Sequence, residues 1–312
     1  MKLLILGLDG LSPEVWREFF DPEGEFDTYD LTSSIPISGP AWTSIYTGLT
    51  PEQHRVYHPW GRDDKDYQTH RDVRQHAFWN ILYANGISID AVGMPITWPA
   101  SPVRPRFISG FWQGDESYWY YPTEKFPGDG FKAICDPIWW VSSVPESCPG
   151  WMERMYVAIT PEEFLHDLLW AVKAYSAFYI STCEKCDVGM LGYTHLDRVL
   201  HVYYQHLEPA AQAIAHAVRG AIATLEPEMV LACSDHGFEE RAEHPGQGGH
   251  TNTGVLALRG FPEQERTEWH TWDVAPLVLS VFGQEAHSQP GEYTVREYEE
   301  LLDRLKKLGY IG

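Results

Sequence analysis

Met229-Val230-Leu231-Ala232-Cys233-Ser234-Asp235-His236-Gly237 is the stretch on which the reading of the chain turns. Its first five residues are apolar and uncharged, the pattern of a buried strand. In an open α/β sheet the ligand crevice lies at the carboxyl ends of the strands, so Asp235 and His236 stand where chemistry is expected. Strand neighbours point to opposite faces, but at a strand end, with Gly237 allowing a turn, both side chains can bend toward one ion. The competing reading is an Asp that caps the next helix beside a surface His, and the rest of the chain has to decide between them.

Upstream, Asp187 to Tyr193 reads as another buried strand, followed by Thr194-His195-Leu196-Asp197-Arg198-Val199-Leu200-His201. Asp197 and His201 are four apart, so on a helix they share a face and can share an ion; a solvated surface contact has the same spacing. The helix is expected to continue to about Leu225. Downstream, Gly246 to Gly254 reads as a flexible loop carrying His250 ahead of a strand from Val255 to Leu258. Glycines there would let the backbone approach an ion or phosphate closely.

At the N-terminus, Lys2 to Leu8 is a strand with Asp9-Gly10 at its carboxyl end, where an Asp is either a turn residue or a ligand. A second strand is expected to end near Ile37, and Pro40 with Trp42, Ile45 and Tyr46 predicts a helix closing at Thr47-Gly48. Ser38 beside that helix start is either an N-cap or a nucleophile whose alkoxide the helix end and a cation would stabilise. Residues 77 to 94 give a helix stopped at Asn85-Gly86 and a strand, and Thr160-Pro161-Glu162-Glu163 opens a helix to about Cys183. Cys183 and Cys186 have redox-motif spacing without a second pair or a preceding strand. This alternation predicts an α/β fold with a mostly parallel central sheet and helices on both faces. Residues 98–157 interrupt it with prolines, glycines and many tryptophans, and are read as an inserted aromatic cap within a single domain spanning 1–312.

Composition limits the partners. Lys and Arg number 23 against 44 Asp and Glu, a formal net charge of -21, which repels long nucleic acids but leaves room for a small anion where metal ions reverse the local field. Five cysteines make no disulfide framework, which fits a reducing cytoplasm. The apolar start is too short for a signal sequence, and no run reaches membrane-spanning length, so a soluble protein is expected.

Asp9-Gly10, Ser38-x-Pro40, Ser44-x-x-Thr47-Gly48, Pro51-x-x-His54, Asp197-x-x-x-His201, Asp235-His236-Gly237, Gly249-His250 and Thr271 to Pro276 together resemble the alkaline phosphatase superfamily, specifically its type I phosphodiesterase/nucleotide pyrophosphatase branch. The resemblance implies a two-metal site: one ion on Asp197, His201 and His250, the other on Asp9, Asp235, His236 and the nucleophile Ser38. The implied ions are zinc, with manganese possible, since imidazole with carboxylate suits both. The implied activity is hydrolysis of phosphoric esters, first a phosphodiesterase acting on a small nucleotide-like substrate through a phosphoserine. A phosphomonoesterase, mutase or phosphotransferase on the same scaffold is the alternative, and a catalytically silent metal-binding or interaction protein is the alternative of another class.

Three departures carry weight. Trp42 stands where the related sulfatases have Arg, which argues against a sulfatase. Ala41 stands where eukaryotic members have an Asn that holds a phosphoryl oxygen, and His54-Arg55 replaces the usual His-Gly. Arg104 and Arg106 are candidate replacements for that Asn, with a surface salt-bridge role as the alternative. Trp112 and Trp119 are candidate stacking faces for a base. The sequence leaves the oligomeric state open.

Overall fold

A computed structural model describes residues 1–57, 73, 76–97, 100–110, 120–121, 160–242 and 245–285. In chain order the strands are β1 (Leu3–Leu8), β2 (Asp27–Thr32), β3 (Ile89–Met94), β4 (Pro105–Ser109), β5 (Tyr120–Tyr121), β6 (Val188–Tyr193), β7 (Met229–Cys233), β8 (Gly237–Glu240), β9 (Gly248–Thr251), β10 (Thr253–Arg259) and β11 (Trp269–His270). The helices are α1 (Pro13–Val15), α2 (Ser38–Thr47), α3 (Pro51–His54), α4 (Phe78–Ala84), α5 (Pro161–Thr182), α6 (His195–Val202), α7 (Leu207–Leu225) and α8 (Val274–Ser280).

Nine strands form one sheet in the order β11-β2-β10-β7-β1-β6-β3-β4-β5, and β8 pairs with β9 as a separate ribbon. β1 runs parallel to both β6 and β7, β3 is parallel to β6 and β4, and only β10 and β5 run against their neighbours. The expected α/β architecture is therefore present. Continuous apolar runs are what a doubly covered sheet needs, because alternate residues must be buried on opposite faces. Leu4, Leu6 and Leu8 of β1 with Val230 and Ala232 of β7 pack under α5, α6 and α7. Their neighbours Leu3, Ile5, Leu231 and Cys233 pack under α2, α4 and α8.

The helix starts follow local chemistry. Thr160 caps α5 in a reciprocal box with Glu163, and Pro161 occupies the position that has no use for an N–H. Four expectations need correction. The strand before Ser38 ends at Thr32, and α2 starts at Ser38, two residues ahead of Pro40. Residues 195–225 form two helices, broken at Tyr203: Pro209 lacks an N–H and its ring would clash with the carbonyl four residues back in a continuous helix. His250 lies on β9, whose ladder with β8 orders the glycine-rich segment. Gly237 makes no turn. A side chain there would collide with the Thr253 carbonyl oxygen, so the glycine serves a close approach of β10.

Residues 105–109, inside the stretch read as an insert from 98, form β4 in the main sheet, and 120–121 form β5 beside it. Most of the rest of 98–157, including Trp112 and Trp119, lies outside the described residues. No helix among the described residues is long and apolar enough to cross a membrane.

Candidate metal centre

β1, β6 and β7 end level with one another, so the residues that follow them meet at one edge of the sheet. Asp9 continues the ladder through its N–H to the Tyr193 carbonyl, and Gly10 then turns at φ 77°, where a side chain would strike the Phe238 ring at 2.8 Å. Ser234 ties two of these ends together. Its hydroxyl accepts from Leu11 N–H at 2.9 Å and donates to the His236 carbonyl at 2.7 Å.

Asp9, Asp235 and His236 are fully buried, and Asp197 nearly so. His236 Nε2 lies 3.5 Å from Asp9 Oδ1, 3.3 Å from Asp235 Oδ2 and 3.9 Å from Asp197 Oδ1. Asp197 Oδ1 is also 3.3 Å from His201 Nε2 and 3.4 Å from His250 Nε2, and those two nitrogens are 2.9 Å apart. Two groups result, each with ligand atoms within 4.8 Å of one another: Asp9, Asp235 and His236, and Asp197, His236 and His250. His236 thus borders both, which the sequence did not indicate. α6 is buried along its length apart from His201, so the Asp197–His201 pair is no surface contact.

The imidazoles are oriented from behind. His250 Nδ1 contacts the Pro36 carbonyl at 2.6 Å and His236 Nδ1 the Gly237 carbonyl at 3.2 Å; a proton donated there leaves each Nε2 lone pair facing the cluster. Phe238 packs edge-on against His201 and His250, 4.9 Å between centroids in each case, and His236 stacks on His250 at 3.7 Å.

This donor set fits divalent ions. Among the described residues, Asp9 Oδ1, Asp197 Oδ1, both oxygens of Asp235 and His236 Nε2 are buried without a hydrogen-bond partner, an arrangement that costs stability unless a cation fills it. Burial, reinforced by repulsion from Asp197 on Asp9 and from Asp9 and Asp197 on Asp235, pushes both carboxyls well above the usual range, and burial pushes the His236 imidazole well below its own. Carboxylates and imidazoles held in this state are relieved by dications.

Ser38 is the first residue of α2. The N-cap is Ile37, which makes no side-chain capping bond, so the capping role open to Ser38 is not the one it plays. The Pro36 carbonyl two residues before it holds His250, and Trp42 one turn after it donates its indole N–H to Asp9 Oδ2 at 3.0 Å. Both ends of this turn are thereby fastened to the cluster.

The candidate arginines lie elsewhere. Arg106 is buried in a two-pronged pair with Asp90, Nε and Nη2 2.9 and 2.8 Å from Oδ1, and Nη1 reaches Thr182 at 2.6 Å. Asp90 and Arg106 begin parallel strands in register with Leu4, five residues before Asp9. At about 3.3 Å per residue they stand some ~16 Å below the metal edge, and Arg104 precedes the strand altogether. Cys183 and Cys186 occupy the same remote end, after α5. Phe238, Ser234 and Arg198, the last buried 3.9 Å from Asp197, carry no signal in the sequence; only the packing distinguishes them from ordinary core and turn residues.

The chain belongs to the type I phosphodiesterase / nucleotide pyrophosphatase family, whose model it matches over residues 3–308. By that membership it is a phosphoester hydrolase. Among solved structures, murine ectonucleotide pyrophosphatase / phosphodiesterase 5 superposes with a TM-score of 0.54 at 10% identity, covering 96% of this chain and 100% of its own. The human protein of that name gives 0.54 at 10% identity, with 96% and 99% covered. An inactive form of the murine protein in complex with AMP gives 0.53 at 10% identity over the same shares. No curated protein matches the chain in sequence.

Proposed function

We propose that the chain is a two-metal phosphodiesterase acting on a small nucleotide-like substrate, with Ser38 as nucleophile. Asp9, Asp197, His201, Asp235, His236 and His250 would hold two divalent ions, zinc first and manganese second, by the donor chemistry of imidazole and carboxylate. The observation that carries this reading is the convergence of five buried ligand atoms, without a hydrogen-bond partner among the described residues, beside the turn that bears Ser38.

Bound dications would supply charge stabilisation to the attacking and leaving oxygens of an in-line displacement. Ser38, at the positive end of a ten-residue helix, is placed where a negative oxygen is favoured. Its Oγ forms a bond to phosphorus as the ester oxygen leaves, and water then attacks the same phosphorus to free the serine. The acidic surface disfavours long nucleic acids, whereas the AMP held by the murine structural relative is a small nucleotide of the kind proposed. Substrate selection belongs, in this reading, to the aromatic segment 98–157, with Trp112 and Trp119 as its stacking faces within a single domain. The odd number of cysteines supports a cytoplasmic setting.

Ser38→Ala tests the nucleophile. Far-ultraviolet circular dichroism and metal content should be retained while turnover of nitrophenyl phosphate diesters is nearly abolished, and quenched wild type should yield a phosphorylated Ser38 peptide. A variant that keeps a large fraction of wild-type turnover refutes the assignment, and faster wild-type turnover of the monoester refutes the diester reading.

A further inference from the structure

We infer that Trp42 is a positioning residue: through its indole N–H it fixes Asp9 so that one carboxylate oxygen is presented to the metal centre, and it ties the helix turn bearing Ser38 to that ligand. The inference rests on the two-metal reading above.

Three observations converge on Trp42. Its Nε1 donates to Asp9 Oδ2 at 3.0 Å, and both side chains are fully buried. Indole is a donor only, so Oδ2 is committed and Oδ1 is the oxygen left to face His236 at 3.5 Å. The ring itself has no freedom to turn away: it stacks on Tyr46 at 5.6 Å, and a side chain added at Gly7 would come within 3.1 Å of it. A rigid donor on a locked ring fixes the carboxylate plane, which a flexible donor could not do.

The helix geometry extends the consequence to Ser38. Residues four apart share a helix face, and helical side chains lean toward the N-terminus, so the Trp42 indole covers the turn that begins at Ser38. Asp9 is therefore docked against that turn by one bond, and any ion on Asp9 Oδ1 is brought toward the serine. In the sequence Trp42 reads as an apolar residue of the helix and as the replacement of a sulfatase arginine. Its structural role is to hold a ligand, an outer-shell task whose loss weakens metal affinity by about 10–100-fold in comparable sites.

The test is a double-mutant cycle read by zinc titration calorimetry on the full chain: wild type, Trp42→Phe, Asp9→Asn and both together, with Tyr46→Phe as a control on the same helix. Trp42→Phe keeps an aromatic ring and removes the donor. The expected result is a zinc site weakened about 10–100-fold in Trp42→Phe, the other site little changed, Tyr46→Phe like wild type, and a double variant no weaker than Asp9→Asn alone. Additive losses in the double variant, equal weakening of both sites, or unchanged zinc affinity in Trp42→Phe would overturn the inference. If Asp9→Asn itself leaves zinc binding unchanged, the two-metal reading fails instead. Thermal melts of the metal-free variants identify one that does not fold; in that case Trp42→Met, a flexible apolar side chain that fills the space and carries no donor, enters the same cycle and is judged by the same outcomes.

Discussion

Acidification should destabilise this protein in a way that one substitution removes. His54, at the end of α3, is fully buried; its Nδ1 accepts from Val56 N–H at 3.0 Å and its Nε2 contacts Ser44 Oγ at 3.0 Å. Burial lowers its pKa from 6.5 to about 3, only partly opposed by a bond to the Pro40 carbonyl. A proton on Nδ1 would also break the bond from Val56. Between these two pKa values the unfolded chain takes up a proton that the folded chain refuses, so stability is full above the unfolded value and falls as pH drops through the window. The slope is about 1.4 kcal/mol per pH unit, so lowering the pH from about 6.5 to about 5 removes roughly 2 kcal/mol through His54 alone. Urea denaturation of wild type and His54→Gln, each at about pH 7 and about pH 5 in chelator, measures this as a difference of differences. The variant should start about 1–3 kcal/mol less stable from imperfect replacement of the two bonds, yet lose roughly 2 kcal/mol less on acidification. An equal acid loss in both proteins would refute the account.

Metal content should fall in Asp235→Ala and Asp197→Ala, measured by elemental mass spectrometry; full occupancy in both would remove the basis for the site. Arg106→Ala should cost about 3–5 kcal/mol by stranding buried Asp90, while KM for a nitrophenyl diester stays near wild type. A large rise in KM with stability retained would return Arg106 to the substrate.

How much of this was legible beforehand depends on the range of the interaction. Strands with continuous apolar runs, such as Met229 to Cys233, announce themselves because burial on both faces constrains every position. The helix end at Gly48 was equally local, since φ 71° there favours glycine. The same logic placed Asp9, Asp197 and Asp235 at strand ends and helix starts. What local chemistry could not give was partnership. Arg106 reads as a free cation until β3 and β4 pair and set it against Asp90. Trp42 reads as core until the β1 end brings Asp9 Oδ2 to its indole. His236 reads as the partner of Asp235, yet it borders both ligand groups because α6 and β9 fold over it. Sequence by itself picked out candidate residues for chemistry and which segments are buried, because those follow from side-chain type and spacing within a few residues. Only the tertiary structure decided which buried charge meets which, because contacts between residues from tens to hundreds of positions apart are fixed by strand order and register, and no local pattern encodes them.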